Sequence, residues 1–488
     1  MDLAKAFNEL FLYHPNNVML FNSGAFLFFF TFFLLGYSYL YQNKTLRTFY
    51  VLAFSFFFYY KSSGFYLGIL LFTIVFDYWI GLNIYKAQTK SKKRAWLLLS
   101  VLSSLGLLAY FKYTNFILFN IYELFSLKYS AIDIFLPIGI SFYTFQTLSY
   151  IIDIYRGEIE PTHNFWDYAF YMTFFPHLVA GPIVRAKFFL PQLLKPVALD
   201  KSEINEGLLL IIKGLIKKAI IADYISQYCD IVFGNPSGYG GVENLFAVYG
   251  YTLQIYCDFS GYSDIAIGIA KLLGYQLGDN FKRPYQSKNI TEFWRKWHIS
   301  LSFWLRDYVY IPMGGNRKGV AKQYLFLMLT MLIGGLWHGA SWKFVFWGGM
   351  HGVGLAMHKY FSHNVKGKFF ETKIWGVFSL FFTFNFVAFL WIFFRAADFA
   401  TAWQMINSII FNFNLSYLIP FITSKTLWVT LLVFGFATQF ISLDKNPIIS
   451  KRFADLPVAI QALIFIITVQ LIIQLKSAEV QPFIYFQF

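Results

Sequence analysis

Long apolar stretches separated by short polar loops run along almost the whole chain. A helix needs about 20 apolar residues to cross a membrane. Candidate stretches lie at residues 18–40, 46–60, 63–85, 95–127, 131–152, 205–233, 243–275, 324–340, 342–361, 374–395, 403–420, 426–443 and 455–475. We expect 95–127 to be one tilted helix or a bent pair, and 131–183 to include a re-entrant segment. The pattern predicts roughly ten to twelve full spans plus partly inserted helices.

The fold class that this pattern predicts is an all-α polytopic membrane protein. Several of the shorter stretches contain Gly and Pro, which are tolerated at membrane depth where the backbone lies against protein or lines a cavity. No repeat of fixed period and no low-complexity linker interrupts the chain, so residues 1–488 are predicted to form a single membrane domain. No basic segment precedes the first stretch, which we therefore expect to be retained as a span.

The composition excludes two other classes of protein. Of the 488 residues, 57% are hydrophobic, 22% are aromatic and 13% are charged, whereas soluble domains have about 25% charged residues. A soluble protein of this size would have too few polar residues to cover its surface. A disordered chain is excluded as well, because disorder requires low hydrophobicity and a high net charge.

The net charge of +15 is carried by short basic clusters between apolar stretches. This distribution does not indicate nucleic-acid binding, and it is typical of cytoplasmic loops, which are enriched in Lys and Arg. We therefore place residues 86–94, 282–322 and 445–452 on the cytoplasmic side. One crossing by the stretch 455–475 then puts residues 476–488 outside the cytoplasm.

Two histidines lie within apolar, glycine-rich segments, where an ionisable side chain suggests a function because it is costly to bury. His338 lies between Trp337 and Gly339, and His351 precedes Gly352. A neutral imidazole can take a proton from a hydroxyl or a thiol, so His338 is a candidate general base. The residues alone leave a second interpretation open, which is a buried histidine bonded to a carbonyl group.

A third histidine, His298, follows Trp297 at the start of an amphipathic pattern. Apolar residues at helical spacing predict one continuous helix face through this segment. That face would carry Trp294, His298, Leu301, Leu305 and Tyr308.

Other polar residues in apolar surroundings have a structural interpretation as well as a functional one. His177 follows Pro176 at a predicted bend, where it would either line a channel or make a structural hydrogen bond. Asp258 and Asp264 lie in the stretch 243–275 and are typical of a polar network between membrane helices. Their role is left open at this point.

The turn Gly314–Gly319 carries the polar residues Asn316, Arg317 and Lys318. Free backbone N–H groups beside two bases would suit a phosphate group, and the same composition would suit a flexible loop at the membrane surface. No metal site is predicted, because the sequence contains neither an HExxH nor a CxxC motif.

Several segments in order along residues 130–400 together resemble the membrane-bound O-acyltransferase (MBOAT) family, in its branch of bacterial alginate and peptidoglycan O-acetylation proteins. Each segment is weak alone, and the set is specific. The segments are Leu136–Gly157, Phe175–Arg185, Asp258–Asp264, Phe293–Ser302, Tyr310–Arg317, Trp337–Trp342 and Trp391–Ala396.

The resemblance implies a ring of tilted helices around a thin centre, with a tunnel that crosses the membrane. It implies that His338 is the catalytic residue and that His298 is the second histidine of the site. It also implies acetyl-CoA as the donor, taken from the cytoplasm, and no metal. The coenzyme A phosphates would suit the basic stretch 282–322, in which the candidate binding residues are Arg295, Lys296, Asn316, Arg317 and Lys318.

The chain ends in an aromatic segment, residues 481–488, that contains Tyr485. This segment resembles the tail of acetylating members of the family and a small protein of the teichoic-acid D-alanylation system, in which a tyrosine is proposed to carry the acyl group. A phenol has a pKa of about 10, so its attack requires a base, a role we assign to His338. The other interpretation of Tyr485 is an aromatic anchor at the membrane interface.

The resulting hypothesis is an O-acetyltransferase of the bacterial inner membrane, embedded in the lipid bilayer. It would pass acetyl by way of Tyr485 to an extracytoplasmic partner of the SGNH serine-hydrolase type, which acetylates peptidoglycan, alginate or a similar polysaccharide. Two alternatives remain: transfer of D-alanine from a carrier protein to a teichoic-acid-type polymer, and a proton-coupled transporter. The transporter predicts half-repeats, which the sequence lacks.

Overall fold

The structure is a computed structural model that describes residues 8, 10–15, 18–364, 367–441 and 447–475. These residues form helices joined by turns and short loops, and no β-strand occurs among them. The predicted all-α fold is therefore confirmed. The chain divides into two compact units, residues 1–208 with 266–278 and residues 209–265 with 279–488. The single membrane domain stays a prediction.

Apolar helices dominate the first unit, and they overlap the stretches that the hydrophobic pattern predicts. Ser23 and Asn43 cap the first two by accepting hydrogen bonds from backbone N–H groups in the first turn, which satisfies donors that a helix leaves unpaired. The helices are α1 (Gly24–Leu40), α2 (Lys44–Ser63), α3 (Leu67–Lys86), α4 (Lys90–Leu108), α5 (Thr114–Leu124), α6 (Ile140–Arg156), α7 (Phe165–Thr173), α8 (Phe175–Leu178), α9 (Ala186–Leu193) and α10 (Lys201–Leu215), which extends into the second unit.

Aromatic rings fill the core of the first unit. The ring centroid of Phe26 in α1 lies 5.7 Å from that of Phe58 in α2 and 6.3 Å from that of Phe175 in α8. The Tyr37 hydroxyl donates a hydrogen bond of 2.6 Å to the Leu273 carbonyl oxygen. A π-helical turn over residues 109–113 joins α4 and α5, so the predicted stretch 95–127 is one continuous helical segment, Lys90–Leu124.

The second unit contains the longest helix and the glycine-rich helices that carry two of the candidate histidines. Its helices are α11 (Asp223–Gly234), α12 (Gly241–Leu272), α13 (Ile290–Lys296), α14 (Ile299–Leu305), α15 (Ile311–Met313), α16 (Val320–His338), α17 (Trp342–Asn364), α18 (Lys373–Arg395), α19 (Phe399–Phe411), α20 (Leu418–Ser424), α21 (Thr426–Phe440), α22 (Pro447–Ala454) and α23 (Val458–Leu475). The final residues of α12, from Ala266 onward, belong to the first unit.

Four helical segments of the described residues are long and apolar enough to cross a membrane: Lys44–Lys86, Lys90–Leu124, Val320–His338 and Lys373–Arg395. Shorter apolar helices cover Gly24–Leu40, Thr426–Phe440 and Val458–Gln474. Large apolar side chains on the helices are exposed, which suits contact with lipid and not with water. The full number of ten to twelve spans stays a prediction.

The predicted span 403–420 is wrong as a single helix. The chain bends by 98° between α19 and the helical pair Leu415–Ser424. The bend lies in the segment 412–414, where Asn414 turns its side chain onto the backbone N–H of Ser416 at 3.0 Å. Asn414 in this way caps the start of the next helical segment, and such local side-chain bonds compete with a continuous helix.

A buried network of ion pairs lies among α10, α12 and the π-helical turn 216–222 in the second unit. Lys218 Nζ lies 2.5 Å from an Asp258 carboxylate oxygen and 2.8 Å from one of Asp223. Lys217 Nζ lies 2.8 Å from a carboxylate oxygen of Asp264, and Lys213 Nζ lies 3.6 Å from the same oxygen. We call these six residues the ion-pair network. Asp258 and Asp264 therefore form the packing network that the sequence left as one interpretation.

Candidate active site

His298 lies at a break between two short helices. Helix α13 ends at Lys296 and α14 begins at Ile299, with His298 between them in the left-handed region at φ 41° and ψ 57°. A residue other than glycine in this region costs about 1–3 kcal/mol and persists where its surroundings fix it. The prediction of one continuous helix face from 294 to 308 is therefore wrong, because the left-handed backbone at His298 interrupts the right-handed helix.

Asn280 holds this break in place through its backbone and its side chain. The Ile299 N–H donates to the Asn280 carbonyl oxygen at 2.9 Å. The Asn280 Oδ1 atom accepts hydrogen bonds from His298 Nδ1 at 3.2 Å, from the Ser300 hydroxyl at 2.9 Å and from the Ser300 backbone N–H at 3.4 Å. The Asn280 Nδ2 atom donates to the Ser263 hydroxyl at 3.1 Å.

These contacts determine where the proton of His298 lies. A backbone N–H can only donate, so the Asn280 side-chain atom that faces Ser300 is the oxygen. That oxygen can only accept, so His298 carries its proton on Nδ1 and has a lone pair on Nε2. His298 is fully buried, and burial lowers the pKa of His298 to about 3, because a low-dielectric interior disfavours the charged form. His298 is therefore a neutral imidazole at physiological pH.

His338 is the last residue of α16, at a point where α16 and α17 approach closely. A Cβ atom on Gly335 would collide with the Phe344 carbonyl oxygen, and one on Gly348 would collide with that of Met331. Only glycine permits this approach of the two backbones. The contact brings the end of α16, with its buried His338, against the first turns of α17.

Aromatic rings surround His338 and connect it to the two other histidines. Its ring centroid lies 5.0 Å from that of Trp337, 5.1 Å from that of Trp347 and 5.4 Å from that of Phe394. The ring centroid of Trp337 also lies 6.0 Å from that of His298, and the ring centroid of Trp347 lies 4.6 Å from that of His351. The structure thus gathers His298, His338 and His351 around two tryptophans, and we call these five residues the histidine cluster.

The three histidines of the histidine cluster are buried among aromatic rings. Within the parts of the chain that the structure describes, no group of three His, Cys, Asp or Glu side chains is placed to hold a metal ion. The cluster can accept and donate single protons through imidazole nitrogens in a water-poor setting, which suits attack of a hydroxyl group on an acyl thioester.

Comparison with known proteins assigns the family. Residues 158–397 match the membrane-bound O-acyltransferase (MBOAT) family. The chain is 39% identical over 495 residues to the probable alginate O-acetylase AlgI of Pseudomonas putida, which covers 96% of this chain and 100% of that relative. The chain belongs to the membrane-bound O-acyltransferase family. The predicted resemblance is confirmed, and so is the prediction of an acyltransferase.

Two further relatives differ in the group that their names say they transfer. The acyltransferase is 36% identical over 426 residues to the peptidoglycan O-acetyltransferase of Helicobacter pylori, which covers 80% of each chain. It is 30% identical over 267 residues to the teichoic acid D-alanyltransferase of Bacillus subtilis, over 52% of this chain and 67% of that relative. Family membership and the apolar helices together make the chain a multi-pass membrane acyltransferase, which favours an enzyme over a transporter.

The predicted donor-binding residues of the acyltransferase lie on two separate elements. Arg295 and Lys296 lie in the last turn of α13, where Lys296 Nζ pairs with Glu292 at 2.7 Å. Asn316, Arg317 and Lys318 are exposed on the turn before α16. Their role in binding coenzyme A stays a prediction.

Two other predicted residues, His177 and Tyr485, do not belong to the histidine cluster. His177 belongs to the first unit, and its Nε2 atom is 2.8 Å from the Tyr171 carbonyl oxygen, which is the structural hydrogen bond that the sequence left as one interpretation. Tyr485, the predicted acyl carrier, lies outside the described residues, as do residues 476–488 as a whole.

Sequence reasoning missed Asn280 and Trp347. Asn280 lies in a loop after the long apolar stretch 243–275, and its importance depends on contacts with Ser263 and Ser300, which are distant or unremarkable in the sequence. Trp347 has a usable signal, because it precedes His351 by one helical turn and therefore shares its face of α17.

Proposed function

We propose that this acyltransferase is an O-acetyltransferase of the bacterial inner membrane that takes acetyl from acetyl-CoA on the cytoplasmic side. His338 acts as the general base, and His298 is the second imidazole of the site. The acetyl group passes by way of Tyr485 to an extracytoplasmic partner that modifies a polysaccharide. The observation that carries the proposal is that the rings of His338 and His298 both lie against Trp337, at centroid distances of 5.0 Å and 6.0 Å.

The proposed transfer to Tyr485 conserves protons and bonds. His338 removes the phenol proton, and the phenolate oxygen attacks the thioester carbonyl carbon. The C–O bond forms, the C–S bond breaks, and the thiolate of coenzyme A takes the proton from the His338 imidazolium. General acid–base catalysis of this kind contributes about 10²- to 10⁴-fold in rate.

The choice of acetyl over D-alanine is supported by the extent of the similarity. The relatives named for O-acetylation match 96% and 80% of the chain, and the relative named for D-alanyl transfer matches 52%. The names of the acetylating relatives point to alginate and peptidoglycan as acceptors, and we propose a cell-wall or exported polysaccharide of this kind.

The sidedness of the proposed reaction is supported by the basic segments. The exposed Arg317 and Lys318 lie in the stretch 282–322 assigned to the cytoplasm, which is where acetyl-CoA is available. Tyr485 follows α23, so one crossing from the basic segment 445–452 would bring it to the opposite side. An aryl ester there is reactive enough to pass acetyl to a serine of an SGNH-type partner.

The experiment that tests this function compares two donors on the purified full-length protein in detergent. We expect release of free coenzyme A from acetyl-CoA in the presence of the extracytoplasmic partner, and no reaction with a D-alanyl carrier protein. His338→Ala abolishes the release, and His363→Ala, an exposed histidine at the end of α17, serves as the matched control. If only the D-alanyl carrier protein is turned over, the transferred group is D-alanine and not acetyl. Full activity of His338→Ala would contradict the proposed role of His338 as the base.

A further inference from the structure

His351 is buried in the histidine cluster and has no role in the mechanism so far. It lies on α17 and is fully buried. Its ring centroid lies 4.6 Å from that of Trp347 and 5.1 Å from that of Trp294. The ring centroid of Trp347 also lies 5.1 Å from that of His338, so His351 and the proposed base contact the same indole ring.

A hydrogen bond from Trp294 fixes the tautomer of His351. The Trp294 Nε1–H group donates to His351 Nδ1 at 3.3 Å. An indole nitrogen can only donate, so His351 Nδ1 must carry a lone pair, and the imidazole must be neutral with its proton on Nε2. His351 is thus the opposite tautomer of His298, whose Nε2 carries the lone pair.

The proton on His351 Nε2 has no acceptor among the described residues. Buried N–H groups are nearly always paired in native proteins, and an exception in a functional region needs a physical reason. The indole N–H of Trp347, one turn earlier on the same helix, also lacks an acceptor in the described chain. Two neutral N–H donors of the histidine cluster, on His351 and Trp347, therefore have no acceptor among the described residues.

Attack on a thioester moves negative charge onto the carbonyl oxygen. Neutral N–H donors held in a water-poor site stabilise that charge without a large reorganisation of the protein. A neutral donor suits this role better than a cation here, because the site also contains an imidazole that must act as a base.

We propose that the Nε2–H group of His351 donates a hydrogen bond to the carbonyl oxygen of the acyl group under attack at His338, which makes His351 a further catalytic residue. This inference rests on the proposed acyl transfer from a thioester. It assigns Trp294 the task of holding His351 in the donor tautomer.

Three substitutions at His351 separate a donor from a packing residue. His351→Gln keeps an N–H donor near the position of Nε2. His351→Asn keeps an acceptor near the position of Nδ1 for Trp294 and is too short to place a donor at the position of Nε2, and His351→Phe loses both groups. The matched control is His358→Phe, because His358 lies two turns later on α17 and bonds through Nδ1 to Thr291 Oγ1 at 2.9 Å.

The measurement is the steady-state release of coenzyme A from acetyl-CoA, with a melting curve to establish that each variant is folded. We expect His351→Phe and His351→Asn to lower kcat on the order of 100-fold, as removal of one such donor does, with little change in KM. His351→Gln should recover at least about tenfold of that loss, and His358→Phe should match the wild type.

Each outcome decides the inference separately from the proposed function. Equal rates for His351→Gln and His351→Asn, whether high or low, contradict a donor role, and so does a wild-type rate in folded His351→Phe. If His351→Phe does not fold, the Gln and Asn pair still decides. Failure of the wild type itself to use acetyl-CoA would instead overturn the proposed function and withdraw the reaction on which the inference rests.

Discussion

The second unit buries polar groups in two different ways. The ion-pair network surrounds Lys218, whose ammonium group is fully buried between the carboxylates of Asp258 and Asp223. The histidine cluster holds three imidazoles among tryptophan rings. His298 is neutral because it is buried, and His351 is neutral because its Nδ1 atom accepts a hydrogen bond from Trp294. One region thus pairs full charges, and the other avoids them.

This difference separates a structural region from a chemical one. A buried ion pair is held by strong mutual attraction, and neither partner can take a proton from a third group or give one to it without leaving an uncompensated charge in the interior. A neutral imidazole has no such partner to lose when it takes a proton from a reacting group. We therefore expect substitutions in the ion-pair network to change stability, and substitutions in the histidine cluster to change catalysis.

Breaking the ion-pair network should have the largest effect on stability. Lys218→Met leaves the carboxylates of Asp258 and Asp223 buried without their shared cation, which costs about 3–5 kcal/mol. The free energy of unfolding in detergent should fall by that amount. The double variant Lys218→Met/Asp258→Asn should recover part of the loss, because it removes one of the two uncompensated charges.

The same variants sharpen the comparison when activity is measured. The rate per folded molecule of Lys218→Met/Asp258→Asn should remain close to that of the wild type. A loss of catalysis as large as that of His338→Ala, in protein that is still folded, would show that the ion-pair network takes part in the reaction and that the comparison is wrong.

A smaller effect on catalysis is expected at Asn280, the positioning residue for His298. Asn280→Leu removes the acceptor for Nδ1–H and frees the imidazole to change tautomer, so kcat should fall by about 10- to 100-fold, as loss of an outer partner of a site residue does, with KM nearly unchanged. Asn280→Asp keeps the acceptor and adds a negative charge, which raises the pKa of His298 from its value of about 3 in the wild type.

The pH profile distinguishes positioning from packing at Asn280. In the wild type, His298 is neutral throughout the range from weak acid to alkaline pH, so it contributes no titration there. In Asn280→Asp, the raised pKa should bring protonation of His298 into the measured range, and activity should fall toward acid pH. Identical pH profiles for the two proteins would contradict the assigned link between Asn280 and His298.

The smallest effect is expected at the exposed turn before α16. Arg317→Ala should raise KM for acetyl-CoA about two- to fivefold without changing kcat, because a solvent-exposed charge contact contributes about 0.2–1 kcal/mol. The difference should disappear at high salt, which screens such contacts. The control is Lys128→Ala, at an exposed lysine outside the basic segments. An equal change in KM for Lys128→Ala would contradict a role of Arg317 in binding acetyl-CoA.

Much of the helical framework was predictable, because spans are long apolar runs whose ends are marked by polar residues. The stretches 374–395 and 342–361 correspond closely to α18 and α17. The bend after α19 was not predictable, because its neighbours are as apolar as a span and the turn is marked only by local side-chain bonds. The motif resemblance singled out His338 and His298, whose rings both contact Trp337 in the structure.

What the sequence could not supply were the partners of these residues. Lys218 lies inside the apolar stretch 205–233. One carboxylate partner, Asp223, lies five residues later in the same stretch, and the other, Asp258, is brought to it by a tertiary contact. The tautomers of His298 and His351 depend on Asn280 and Trp294. The left-handed backbone at His298 is likewise a consequence of long-range contacts and leaves no signal in the hydrophobic period.

The most direct test of the central claim is a single-turnover measurement with acetyl-CoA that carries an isotopic label in the acetyl group. The full-length protein is quenched after one turnover, and the peptide that contains Tyr485 is analysed by mass. We predict that the wild type and Lys218→Met/Asp258→Asn carry the label on Tyr485, and that His338→Ala and Tyr485→Phe do not. Label on the tail of folded His338→Ala, or its absence from the wild type while coenzyme A is released, would contradict transfer of acetyl from acetyl-CoA to Tyr485 with His338 as the base.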